Sequence, residues 1–368
     1  MTQYSAPTPC SLSVLDLVSL SEGDDRPGAF AKTIARAQTA EKLGYARYWI
    51  GEHHGSSTFL ASATSIVMGQ ILAATSRITV ASGGIMLPNH APFIVAEQIG
   101  TLATMYPGRV EVGLGRAPGT DPATSHALRR RPADPGHFAD EIVEFLSYVD
   151  MEESGENSPV PGSLLGQQSR RVYAPQLLSP HRSSVRAIPG EGTCPGTWVL
   201  GSSVNGARVA GELGLPFVVA SHFAPSAAEA AIMAYRSTFN PDAPTAMISE
   251  PKIAASANVV VAPTDGEAQY LFTSMMSASA RIVGGQPAPI DPPQQDLEAW
   301  KAFAPGKEGA VRASMALNFV GAPGKVVDGL RDLAQSWDLD EILVFTVLHD
   351  STLVERSLEL LVSQWNLS

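Results

Sequence analysis

Arg77-Ile-Thr-Val-Ala-Ser-Gly-Gly-Ile-Met-Leu-Pro-Asn-His-Ala-Pro92, then a helical pattern, then Gly108-Arg-Val-Glu-Val-Gly-Leu-Gly-Arg116, decides the fold class of this chain. Ile78 to Ala81 is a short run rich in β-branched residues that stops at Gly83-Gly84, as a strand does when another group approaches its backbone. Pro92 suits a first helical turn, and Val95, Ile99, Leu102 and Tyr106 repeat at helical spacing behind it. Pro107-Gly108 ends that helix, and Val110 to Gly115 reads as a second buried strand. The unit is βαβ, and both of its strand ends lack Cβ atoms. A flat or anionic ligand suits such a place.

Working outward, the same alternation covers the chain. Strands are expected at Ser11–Leu17, Tyr45–Gly51, Trp198–Ser202, Phe217–Ser221, Ile253–Ala262 and Glu341–Leu348, each followed by a helical pattern. With the two central strands this makes eight, which favours a (β/α)8 TIM barrel, a single domain over residues 1–368, above an open doubly wound sheet. Two Gly/Pro-rich excursions interrupt it, about 151–196 and 284–309, the first with a short strand expected at Val185–Ile188. The chain has 368 residues, 44% hydrophobic and 17% charged, and a net charge of −11, which argues against nucleic acid or an anionic membrane surface as a partner. Cys10 and Cys194 fit a reducing compartment, and no apolar run or leader is legible, so a cytoplasmic protein is expected.

The functional face of a barrel is the C-terminal end of its strands. The unusual residues fall there: Glu52-His53-His54, Gly83-Gly84, Arg116, Ser202-Ser203 and Ser221-His222. Histidine titrates near neutrality, so His53 and His54, beside Glu52, are candidate acid/base groups, against the plainer reading of two surface loop histidines. No metal site is expected, because adjacent histidines diverge and no Cys or carboxylate cluster completes a ligand set. Ser202, Ser203, Asn205 and Gly206 open a helix at a strand end, which suits a phosphate, although a plain N-cap by Ser203 or Asn205 accounts for part of it. Arg116 supplies a fork for the same phosphate, or else a buried structural ion pair. Gly113-Leu-Gly-Arg-Ala-Pro-Gly119 is rejected as a dinucleotide fingerprint, since its spacing is too long and Pro118 and Pro122 prevent an immediate helix.

Glu52-His53-His54, Ala81-Ser-Gly-Gly-Ile-Met-Leu-Pro88, Arg109-Val-Glu-Val-Gly-Leu-Gly-Arg116 and the 201–216 stretch, in this order, resemble the bacterial luciferase-like flavin monooxygenases, nearest to their single-chain oxidoreductases. The resemblance implies a TIM barrel, FMN, reaction of reduced flavin with dioxygen to a C4a-hydroperoxide, a separate flavin reductase and usually a homodimer. It places His53 near the reactive flavin edge and Gly83-Gly84, often joined by a non-proline cis peptide, against the isoalloxazine. There a Cβ on Gly84 is expected to enter the ring's space. Arg116, Ser202 and Ser203 match phosphate-contacting positions. Luciferases carry a glutamate at the Ser202 position, a cysteine at the Gly115 position and a hydroxyl at the Gly206 position, so light emission is not implied. The segment 284–309 corresponds to a loop that shields the flavin. A dehydrogenase using F420 and a catalytically silent flavin-binding subunit are the alternatives.

Overall fold

The computed structural model describes residues 10–129, 135–150 and 185–365. Ten parallel strands form its sheet: β1 (Ser11–Asp16), β2 (Arg47–Ile50), β3 (Thr79–Ser82), β4 (Ile85–Met86), β5 (Val110–Gly115), β6 (Gly196–Gly201), β7 (Phe217–Val219), β8 (Ile253–Val261), β9 (Asn318–Gly321) and β10 (Glu341–Phe345). The order β10-β1-β2-β3-β5-β6-β7-β8 closes on itself through the β8–β10 pairing. The result is the expected eight-stranded barrel with flanking helices.

The alternation of inward and outward residues explains why the barrel is filled. Leu15, Trp49, Ala81, Trp198, Leu200, Val218, Ala254 and Leu343 form an inner apolar cluster, while their neighbours Val14, Tyr48, Val80, Val199 and Val344 pack outward against helices. The floor, at the strand N-termini, is ionic. Arg47 pairs with Glu111 at 2.8 Å and Glu341 at 2.7 Å, and the indoles of Trp198 and Trp49 donate to the same two carboxylates. A buried guanidinium needs such partners, because an unpaired charge there would be costly.

The helices are α1 (Arg26–Leu43), α2 (Thr64–Ala74), α3 (Pro92–Met105), α4 (Pro122–Leu128), α5 (Phe138–Val149), α6 (Val204–Glu212), α7 (Ala228–Thr238), α8 (Asp265–Gly284), α9 (Glu308–Ser314), α10 (Pro323–Trp337) and α11 (Ser351–Trp365). Gly44 ends α1 in the left-handed region, as its position after the last apolar residue predicts.

Several expectations are corrected. No strand forms at Val185–Ile188: Pro189 follows it with no N–H to give a ladder, and Gly190 packs its backbone against Gly100 of α3. Pro122 does not prevent a helix but starts one, α4, where Asp121 caps the N–H groups of Ala123 and Thr124. The residues between Gly115 and Asp121 still hold that helix away from the strand end, so the dinucleotide reading stays rejected. β4 and β9, of two and four residues, and the seven-residue α9 were not foreseen. Residues 151–184 of the first excursion lie outside the described residues.

Candidate active site

At the C-terminal ends of the strands the barrel mouth has two unlike halves. One half is formed by the ends of β3, β5 and β6 and is poor in side chains: Gly83-Gly84, Gly115 and Gly201. The Gly83–Gly84 bond is cis, as the resemblance implies. A Cβ built on Gly84 would lie 2.6 Å from the Gly113 carbonyl oxygen, and one on Gly83 would lie 3.0 Å from Trp49 Cβ and Leu15 Cδ1. These glycines are therefore required by packing between strands, which corrects the expectation that a Gly84 Cβ would enter ligand space. Gly84→Ala is expected to destabilise the protein by about 1–3 kcal/mol, since backbone must shift to admit the methyl group. Thermal denaturation checks this, and an unchanged midpoint would show that β3 and β5 can part there freely.

The edge of this half is polar. Ser203 caps α6, accepting from Gly206 N, and also receives Arg116 Nη2 at 3.1 Å from the end of β5. Among the described residues no carboxylate pairs with Arg116, whereas Arg36, Arg129 and Arg281 each hold one and Arg47 holds two. The structural ion-pair reading of Arg116 therefore finds no partner among the described residues, and its guanidinium meets the Ser203 hydroxyl at the helix N-terminus. A Cβ on Gly206 would meet nothing closer than 3.8 Å, so internal packing does not demand glycine there. Asn205 is exposed and Ser202 half-buried beside it. Two hydroxyls, an arginine fork and a helix N-terminus suit the phosphate of a mononucleotide.

The other half is aromatic. His53, after β2, lies 5.6 Å from the Phe59 ring; Phe59 lies 6.5 Å from Phe345 at the end of β10; Phe345 lies 4.9 Å from His222, after β7. Beside this arc stands a charged knot. Glu52, 2% exposed, accepts from His54 Nε2 at 2.8 Å, His90 Nε2 at 2.9 Å, Asn89 Nδ2 at 3.2 Å and the Met86 backbone N–H at 3.2 Å. Burial pushes the Glu52 carboxyl up, but the bonds from His54 and His90, the nearby His90 charge and Asn89 outweigh it and bring its pKa down to about 2. His53 is held below the usual histidine range by burial and by the His54 charge, with Glu52 opposing.

His90 was absent from the sequence reading, and its arrival bears on the metal expectation. Glu52, His54 and His90 offer three ligand atoms within 4.8 Å of one another, so a cluster forms after all: the adjacent His53 and His54 do diverge, but the second histidine comes from the loop after β4. The carboxylate is already saturated by four donors, which makes the knot complete as a hydrogen-bond cluster. Asn89 was missed as well, and its Oδ1 is buried with no donor among the described residues.

The 284–309 excursion lies over the aromatic side. Ile290, fully buried, exchanges backbone bonds with Leu20 and Glu22, while Ser57 and Thr58 donate to Pro287 and Ala288 carbonyls. Arg281 and Asp291 close it with a bidentate pair at 2.7 and 2.8 Å. It is thus pinned to the loops that follow β1 and β2, directly beside His53.

Comparison with known proteins agrees with this geometry. Residues 11–339 match the family model for luciferase-like monooxygenases. A luciferase-like monooxygenase of Escherichia coli (strain K12) is 36% identical over 351 residues, spanning 95% of each chain. The structure of apo-MsnO8 superposes with a TM-score of 0.79 at 28% identity, covering 98% of this chain and 99% of that one. Two others share the fold at lower identity. A type II Baeyer–Villiger monooxygenase from Pseudomonas putida in complex with FMN has a TM-score of 0.65 at 19%, covering 97% and 98%. An F420-dependent secondary alcohol dehydrogenase has 0.62 at 14%, covering 97% and 99%. With the barrel, its mouth and the full-length match to the family model in place, the chain belongs to the luciferase-like monooxygenase family and is a monooxygenase of that class.

Proposed function

We propose that the protein, one unit over residues 1–368 acting in the cytoplasm, is an FMN-dependent monooxygenase that takes reduced flavin from a separate reductase and uses dioxygen on a small organic substrate. The carrying observation is Arg116 beside Ser203 at the α6 N-terminus, with no carboxylate on it among the described residues, on the edge of the glycine half of the mouth. Arg116, Ser202, Ser203, Asn205 and Gly206 would hold the phosphate, and Gly83-Gly84 would back the flat ring. The bound reduced flavin would supply the electrons that activate dioxygen. His53 faces that space and is the group we assign to hold or move a proton there. Glu52 fixes His54 and His90 behind it. The pinned 284–309 segment would exclude water on the His53 side.

No dinucleotide fingerprint accompanies the phosphate cradle, so reduction in place by NADH has no evident docking site. The purified protein should therefore oxidise NADH very slowly alone and consume oxygen once a flavin reductase or photoreduced FMN is supplied. Rapid NADH oxidation without reductase would overturn the two-component reading, and no oxygen consumption at all would favour a silent flavin-binding subunit. Because F420 carries a phosphate as well, titration with each cofactor separates the F420 dehydrogenase alternative. A homodimer is part of the proposal. Ile66 of α2 and Met105 of α3, 67% and 61% exposed, mark an outer face that a second copy would cover, and light scattering in solution tests it.

A further inference from the structure

His222 belongs to none of the groups assigned above, yet it is held more firmly than a loop residue needs to be. Its Nδ1 lies 2.6 Å from Ser256 Oγ, its backbone N–H points at the same oxygen, and its carbonyl receives Asn258 Nδ2 at 2.6 Å. Ser221, just before it, donates to the Ser256 carbonyl at 2.7 Å. Ser256 and Asn258 are each 1% exposed and lie on the inward face of β8, alternating with the outward Ala255, Ala257 and Val259. Polar side chains inside a barrel are costly unless bonded, and these two give their shortest bonds to His222, with longer ones to the Val219 and Leu317 carbonyls at 3.3 and 3.2 Å. Among the described residues no hydrogen bond reaches His222 Nε2 or either ring nitrogen of His53.

The topology gives the placement its meaning. In the closed ring β1-β2-β3-β5-β6-β7-β8-β10, β2 and β7 are four steps apart in both directions, so His53 and His222 stand on opposite sides of the mouth. Phe345, on β10, lies midway along the arc between them and Phe59 fills the remaining gap. The aromatic half is therefore a continuous apolar wall with an imidazole at each end, and it faces the glycine half where the flavin reading places the ring.

On that reading, we propose that His222 is a substrate-binding residue: Ser256 Oγ–H donates to Nδ1, which leaves the ring proton on Nε2 to donate to the carbonyl head of an uncharged substrate, the apolar body of which lies along Phe345 and Phe59 toward His53. Burial, together with the His53 charge, brings the His222 pKa down to about 3, and His53 is shifted the same way, so both rings are neutral at neutral pH. Two neutral rings and two phenyl groups offer nothing to offset the desolvation of a carboxylate.

The test uses the full chain loaded with FMN, labelled with 15N at histidine, and two probes matched in length, 2-octanone and octanoate. The ketone should bind and move the His222 Nε2 resonance, and octanoate at equal concentration should not. His222→Phe should leave the FMN dissociation constant unchanged and weaken 2-octanone about 3–10-fold, the range for one neutral hydrogen bond. Ser256→Ala, which frees Nδ1, should weaken it less and broaden the His222 signal. If His222→Phe does not fold, as circular dichroism would show, His222→Gln and Ser256→Ala carry the comparison. Failure of the wild type to bind 2-octanone, unaltered ketone affinity in the variants, or octanoate binding as tightly as the ketone would each overturn the proposal. If wild-type protein does not bind FMN, the flavin reading falls instead, and the same ketone titration on the flavin-free protein still decides the role of His222.

Discussion

His53→Ala is expected to lower turnover about 10²–10⁴-fold, the range for loss of a general acid or base, while FMN affinity stays near that of the parent. Two adjacent histidines invite the question of which one acts, and their partners answer it. His54 Nε2 is committed to Glu52 at 2.8 Å, within a knot that also ties down His90 and Asn89. His53 bonds through its backbone, to the Ala61 carbonyl, and leaves its ring against Phe59 and open to the mouth. Its lowered pKa keeps the ring neutral at neutral pH, with one nitrogen able to accept a proton and the other to donate one. His54→Ala should behave differently. It removes one donor from a buried carboxylate and should cost roughly 1–3 kcal/mol of stability, visible in denaturant unfolding. Steady-state oxygen uptake with a reductase, alongside unfolding curves, separates the two variants. A His53→Ala protein with parental turnover, paired with an inactive but stable His54→Ala, would transfer the proton-handling role to His54.

The sequence carried the barrel and much of its mouth because both are written in local signals. Each barrel strand is a β-branched or apolar run of a few residues, and the ends of β2, β3, β5, β6 and β7 carry glycine, serine or histidine within or just after the run. Arg116 and Ser203 could be placed near each other because both follow strands that are neighbours in an eight-membered ring. What was not legible depends on register and reach. His90 meets Glu52 only because β4 pairs with β5 and returns the chain over the end of β2, and a two-residue strand has too few positions to show a period. Ser256 and Asn258 sit in a nine-residue strand that is buried throughout, where a polar residue announces no partner until the facing loop is known. Gly84 was read as making room for a ligand, when it makes room for the Gly113 carbonyl. Sequence shows that a Cβ is unwelcome, not what would collide with it.

Arg116→Ala should weaken FMN binding by roughly 2–4 kcal/mol, which is the cost of leaving a phosphate without its charge-assisted partner. In affinity this is about 30-fold to 1,000-fold. The size of the effect follows from what surrounds the guanidinium. Arg47 is neutralised by Glu111 and Glu341, and Arg36 by Asp16, so removing a ligand would change little for them. Arg116 has Ser203 Oγ at 3.1 Å and, among the described residues, no carboxylate. An anion at the α6 N-terminus would meet the arginine, the Ser203 hydroxyl and the first N–H groups of the helix together, and loss of the arginine removes the only full charge of that set. Riboflavin, which has the ring without the phosphate, provides the control. Parent and variant should bind it equally, so that the whole loss appears as a loss of preference for FMN over riboflavin. Arg116→Lys should recover part of that preference, since the charge returns without the bidentate fork. Fluorescence titration of both flavins gives the four affinities needed. If Arg116→Ala weakens riboflavin as much as FMN, the arginine shapes the ring site or the loop rather than the phosphate cradle, and the reading of the α6 N-terminus has to be abandoned.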